Sequence, residues 1–126
     1  MEHVLRAYAE LWSEPDGARR EELLDRCWSE ESEIIGPGYH FQGKKSVLAE
    51  AARFQKDEPG HRIVLTSGFD WHGNWARFTF ALLAPDGSTL NEGWDVVQFA
   101  EDGRICRVVT FWGQPPPLMP RPEQAP

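Results

Sequence analysis

Positive charge is in short supply: thirteen Lys and Arg stand against twenty Asp and Glu, for a formal net charge of −7. Such a surface repels phosphate backbones, and no basic stripe or base-stacking motif interrupts it, so no nucleic-acid partner is expected. Long apolar runs are missing too, and the first residues lack the layout of a signal peptide, which argues against a membrane and for a cytoplasmic protein. Cysteine is limited to Cys27 and Cys106, far apart in apolar contexts and forming no CxxC pair. They read as reduced, packed thiols. The four histidines show no ligand spacing and no carboxylate cluster accompanies them, so neither a metal nor a cofactor is implied. A GxSxG elbow and a phosphate-cradling glycine loop are both absent. At 126 residues there is no length for a second core, though enough for one without staples.

What the chain has in quantity is ring surface. Aromatics make up 12% of the residues, with six Trp and seven Phe against two Met. That much either fills a core or lines a cavity. Val4, Leu5, Tyr8, Leu11 and Trp12 recur at helical spacing over Glu2–Trp12, and Pro15 and Gly17 end that helix. A second amphipathic helix carries Leu23, Leu24, Cys27 and Trp28 on one face. Glu33-Ile34-Ile35 is a short strand cut off by Gly36-Pro37-Gly38, and Ser46 is placed to cap a third helix from Val47 to about Lys56.

Beyond Gly60 the period changes to two. Strands are predicted over Arg62–Phe69, Trp75–Ala84, Leu90–Phe99 and Arg104–Trp112, separated by His72-Gly73-Asn74, Asp86-Gly87 and Asp102-Gly103. Helices followed by an antiparallel meander form an α+β layout. Residues 114–126 hold six prolines, so they form an extended tail, expected to lie along the domain or a neighbouring subunit.

In this order the segments resemble the nuclear-transport-factor-2-like superfamily, which includes SnoaL-like polyketide cyclases, limonene-epoxide hydrolases and ketosteroid isomerases. The resemblance rests on the turn at Glu14 to Gly17 and on Glu33-Ile34-Ile35-Gly36-Pro37-Gly38. Phe41-Gln42-Gly43 leading into a helix adds to it, as do Asp95-Val96-Val97-Gln98-Phe99 and Glu101-Asp102-Gly103-Arg104-Ile105. It spans roughly residues 2 to 113. It implies a cone-shaped, cystatin-like fold in which a bent antiparallel sheet wraps around N-terminal helices and leaves an internal pocket. Residues 1–113 would then be one SnoaL-like or ketosteroid-isomerase-like domain and 114–126 its Pro-rich tail, and a homodimer is expected because such proteins commonly form one.

Against the ketosteroid isomerases, Tyr8 matches the oxyanion-hole tyrosine and Asp95 the protonated oxyanion-hole acid. The general base of that family would fall at Gly36, which has no side chain and cannot remove a proton. Limonene-epoxide hydrolases carry an Asp on the last strand, which here reads Val108-Val109-Thr110-Phe111-Trp112 with no carboxylate. Neither mechanism carries over whole.

Strand parity supports a cavity by itself. If Asp95 points inward, so do Val97 and Phe99. Phe78, Phe80 and Leu82 share an apolar face, and the resemblance turns Val108, Thr110 and Trp112 inward, while Tyr8, Trp12 and Phe54 close the cone from the helices. The expected catalytic groups are thus Tyr8 and Asp95, with His40, just past the missing base, as a replacement base. Trp12, Phe54, Phe78, Phe80, Val97, Thr110 and Trp112 are the expected ligand contacts. A carboxyl among such rings has its pKa raised and donates a hydrogen bond beside Tyr8, polarising a ligand carbonyl or holding a phenol. Alternatively the Tyr–Asp pair satisfies itself. His40 could equally lie on the surface, while His61 and His72 should face solvent and Glu92 the side opposite Asp95. Two functions stay open: isomerase- or cyclase-type chemistry on a small, largely apolar, carbonyl-containing or polycyclic molecule, or a non-catalytic binding or dimerisation module. The second would use Trp71, Trp75 and Trp94 on the convex face.

Overall fold

In the computed structural model, which describes residues 2–120, the apolar spacing of the first residues becomes helix α1, Glu2–Leu11. It buries Val4, Leu5, Ala7, Tyr8 and Leu11. Asp16 caps α2 (Gly17–Cys27), its side chain accepting from the Ala18 N–H, and Leu23, Leu24 and Cys27 turn inward. Burial pushes the Cys27 thiol up to about 12, so it stays protonated as an inert core group. Helix α3 (Lys44–Asp57) starts earlier than its predicted Ser46 cap. Gly43 holds the N-cap position without a side chain to offer, and Val47 and Ala51 face the core.

The strands are β1 Trp28–Gly36, β2 Tyr39–Gln42, β3 Arg62–Leu65, β4 Asp70–His72, β5 Trp75–Leu83, β6 Thr89–Phe99 and β7 Ile105–Trp112. They form one sheet in the order β2-β1-β7-β6-β5-β3, with β4 also pairing β5. The α+β class holds, with two corrections to its details. The sheet is mixed, because β1 runs parallel to β7. Trp28 opens a nine-residue strand instead of closing α2, and its ring is fully buried, stacked on Tyr8 with centroids 5.7 Å apart. The β1–β7 pairing is irregular between Trp28 and Glu33. There the buried Ser32 hydroxyl reaches the Ile105 carbonyl.

The predicted strand from Arg62 to Phe69 stops at Leu65. Its remainder pivots into β4, where Trp71 pairs with Ala76, a residue of the buried face of β5. Trp71 therefore stands on the concave side, stacked on Phe69, and not on the convex face with Trp75 and Trp94. Residues 114–120 form neither helix nor strand, and Leu118 is 98% exposed, so this stretch does not lie along its own domain. The tail beyond Pro120 lies outside the described residues.

Candidate functional site

Three helices on the concave face of the sheet leave a cavity of about 490 Å³. Its walls are apolar, with Ile34, Phe41, Phe54, Ile63, Leu65, Phe78, Phe80, Leu82 and Leu90 among the lining side chains. Polar groups gather at the buried end: Tyr8 (3% exposed) from α1, Asp95 (5%) from β6 and Thr110 (7%) from β7. Sheet register explains why they meet. Asp95 pairs with Phe78 on one side and with Thr110 on the other, so all three point the same way.

The Thr110 hydroxyl donates to Asp95 Oδ1 at 2.7 Å. The second carboxyl oxygen takes no protein hydrogen bond among the described residues, and Asp95 lines the cavity. Loss of water raises the Asp95 pKa from 3.8 to about 7, with the Thr110 bond pulling the other way. Near neutral pH this group is therefore a mixture of acid and carboxylate. Burial holds the Tyr8 phenol proton well above its ordinary range, and the adjacent Asp95 charge adds to that, while a hydrogen bond from Trp12 opposes it.

A fourth polar group went unrecognised in the sequence. Tyr39 lies on β2 with its hydroxyl accepting from Trp112 Nε1 at 3.0 Å. Its ring occupies the place of the absent side chain at Gly36: a Cβ there would fall 2.1 Å from Tyr39 Cζ and 2.3 Å from its hydroxyl oxygen. Because the Tyr39 oxygen already accepts from the indole, its own proton is free to point into the cavity. A second close approach fixes Trp112. Gly93 leaves room for the Phe80 ring, 2.3 Å from where a Cβ would stand, and Phe80 meets Trp112 edge to face at 5.0 Å. The signal that could have exposed Tyr39 is the alternation Tyr39-His40-Phe41, read as a strand rather than a loop.

The same alternation decides His40. Tyr39 and Phe41 line the cavity, so His40 faces outward, where its Nε2 is 3.0 Å from Glu33 Oε2. As a base for the cavity it is out of place. Of the expected ligand contacts, Trp12, Phe54, Phe78, Phe80, Thr110 and Trp112 line the cavity, whereas Val97 is packed into the core behind it. His61, expected in solvent, lines the mouth instead, half-buried beside Glu58. Glu92 and His72 are exposed. Among the described residues no group of three His, Cys, Asp or Glu is placed to hold a metal ion.

A bent mixed sheet folded over helices around an aromatic pocket defines the NTF2-like, cystatin-like class. Solved structures of that class match at high similarity, among them an NTF2-like protein of unknown function from Exiguobacterium sp. 255-15 (18% identity, TM-score 0.68, 89% of this chain and 99% of that one). A candidate polyketide cyclase from Sinorhizobium meliloti shares the fold at 16% identity (TM-score 0.68, 87% and 94% covered). Similarity is far higher to a candidate isomerase of the SnoaL-like family from Agrobacterium tumefaciens str. C58, at 33% identity, TM-score 0.82, and coverage of 88% of this chain and 95% of that one. The chain belongs to the SnoaL-like family. No protein-family model matches it, and no curated protein does.

Proposed function

We propose that the chain binds a small, largely apolar molecule through a carbonyl or phenol oxygen at the buried end of the cavity and carries out isomerase- or cyclase-type proton transfer on it. The observation that carries this reading is Asp95, a buried carboxyl with one oxygen free toward an apolar cavity and a pKa of about 7. Tyr8 and Tyr39 hydroxyls would donate to the ligand oxygen. The Asp95 carboxylate would then take a proton from the carbon next to the carbonyl, leaving an enolate whose oxygen the two phenols hold, and return it to another carbon. The Gly36 position supplies no base, so the proton acceptor has to be Asp95 itself.

Hydrogen–deuterium exchange at the carbon α to the carbonyl of 2-tetralone in D₂O, followed by NMR, tests the reading. Exchange above the buffer rate should rise with pH through about 7, as Asp95 ionises, and vanish in Asp95→Asn. Binding of 2-tetralone without exchange would leave a non-catalytic binding module, the reading that Gly36 and the interlocked Tyr39 favour. Absence of binding would refute both.

A homodimer fits the outer face of the sheet, where Trp94 (38% exposed) pairs with Phe111 (59%) across β6 and β7 and Ile35 lies nearby on β1. Sedimentation of the wild type and of Trp94→Lys tests that part. Two free thiols and the absence, among the described residues, of a helix long and apolar enough to cross a membrane fit a cytoplasmic setting.

A further inference from the structure

The cavity differs sharply between its ends. At the buried end the polar groups are two phenols, a threonine and one carboxyl that burial keeps partly neutral. Toward solvent the lining carries the strongly polar side chains of Glu50, Arg53, Glu58 and His61, of which Arg53 and Glu58 are about half exposed. An arginine at a pocket mouth ordinarily reads as a clamp for carboxylate or phosphate. Arg53 is already engaged by carboxylates of its own helix. Its Nε lies 3.1 and 3.0 Å from the two Glu50 oxygens, its Nη2 also reaches Glu50, and its Nη1 lies 3.4 Å from Asp57 Oδ2. Glu58 faces His61, whose Nδ1 is 3.1 Å from the Glu58 carbonyl and whose Nε2 is 3.5 Å from its carboxylate. Two carboxylates, Glu50 and Asp57, thus engage all three nitrogens of the guanidinium, while a third, Glu58, lies beside His61.

On the reading that the cavity binds an apolar molecule by its oxygen-bearing end, we infer that the other end of that molecule is neutral or cationic and that the mouth rejects free acids and phosphates. The substrate class is then an aromatic or polycyclic ketone or phenol whose distal group is an ester, amide, ether or amine. An anion at the mouth would have to compete with Glu50 and Asp57 for Arg53 and would meet an excess of carboxylate, Glu50, Asp57 and Glu58 against one guanidinium, which is discrimination by an introduced repulsion. Because the mouth is partly exposed, the effect is moderate and weakens with salt.

Three probes of one shape test this at pH 8 and low ionic strength by calorimetry: 4-phenylphenol, 4′-hydroxybiphenyl-4-carboxylic acid and the methyl ester of that acid. The ester should bind about threefold or more tightly than the acid. The gap should shrink in Asp57→Asn/Glu58→Gln and in high salt, and Tyr8→Phe should weaken all three alike. An acid that binds as well as its ester overturns the inference, as does a gap that the double variant and salt leave unchanged, since that would reflect only the loss of carboxylate hydration. In either case 4-phenylphenol still binds and the reading of the buried end stands. If 4-phenylphenol itself fails to bind, the reading of the site falls and the inference with it.

Discussion

Asp95 and Glu33 are carboxylates on strands that flank β7 from opposite sides, and β7 gives each its partner. Inside the cone, Thr110 offers Asp95 one hydroxyl and no charge, and burial raises its pKa to about 7. Outside, three residues back along the same strand, Arg107 Nε lies 2.8 Å from Glu33 Oε1 and His40 holds the other oxygen at 3.0 Å. The hydrogen bonds from His40 and Arg107 hold Glu33 below the usual carboxylate range. One strand, through the alternation of its two faces, leaves a carboxyl that titrates near neutrality on one side of the sheet and holds a carboxylate in its charged form further into acid on the other. The surroundings, not the residue type, assign the chemistry.

The two groups also load stability in opposite directions. Asp95 has a folded pKa above its unfolded one, so it favours the folded state only at low pH. That advantage is fully present below about 3.8 and lost as pH rises through about 7. Glu33 is shifted downward, so its contribution is present above the ordinary carboxylate pKa and disappears as acid protonates it.

Asp95→Asn should break the contrast most completely. Exchange on 2-tetralone should fall about a hundredfold or more, yet at pH 8 the variant should melt higher than wild type, by roughly 2–4 kcal/mol in stability. The gap should close toward pH 4, and a variant less stable at pH 8 would show that Asp95 is a packing residue instead. Next in size is Gly36→Asp, which restores a carboxylate where the Tyr39 ring now sits. It should cost about 1–3 kcal/mol from overpacking, and denaturant melts should show that Tyr39→Ala recovers much of this in the double variant. Thr110→Val removes the hydrogen bond that lowers the Asp95 pKa. The midpoint of the exchange–pH profile should therefore move upward, with the maximal rate less affected. The smallest change is expected outside. Glu33→Gln should alter stability by about 1 kcal/mol or less, flatten the acid side of the stability curve and leave ligand binding untouched, as should His40→Ala.

What the sequence disclosed, and what it hid, follows the reach of each signal. Helical spacing around Tyr8, the Asp86-Gly87 turn and the period of two from Trp75 onward are local. They give which residues share a face, such as Phe78 with Phe80, while it is the resemblance that turns Tyr8, Asp95 and Thr110 toward one interior. The parallel pairing of β1 with β7 joins residues more than seventy positions apart, and no local pattern announces it. β2 has only four residues next to a Gly-Pro-Gly turn, so it passed for loop. With it went Tyr39, and His40 acquired a role its outward parity forbids. A residue at the start of a strand ordinarily faces solvent, but the His61 N–H donates to the Glu58 carbonyl at the end of α3 and the side chain lines the cavity.

The β1–β7 pairing also sets a timetable for assembly. On the ribosome, β1 emerges early and must wait for the last strand before its long edge is covered. That same strand brings Thr110 and Trp112, without which Asp95 has no hydrogen-bond donor and Tyr39 no indole to orient it. The pocket therefore cannot exist on a nascent chain that lacks its final fifth. The cavity is completed in one step with closure of the sheet, so any molecule that binds there would stabilise the closed sheet as well.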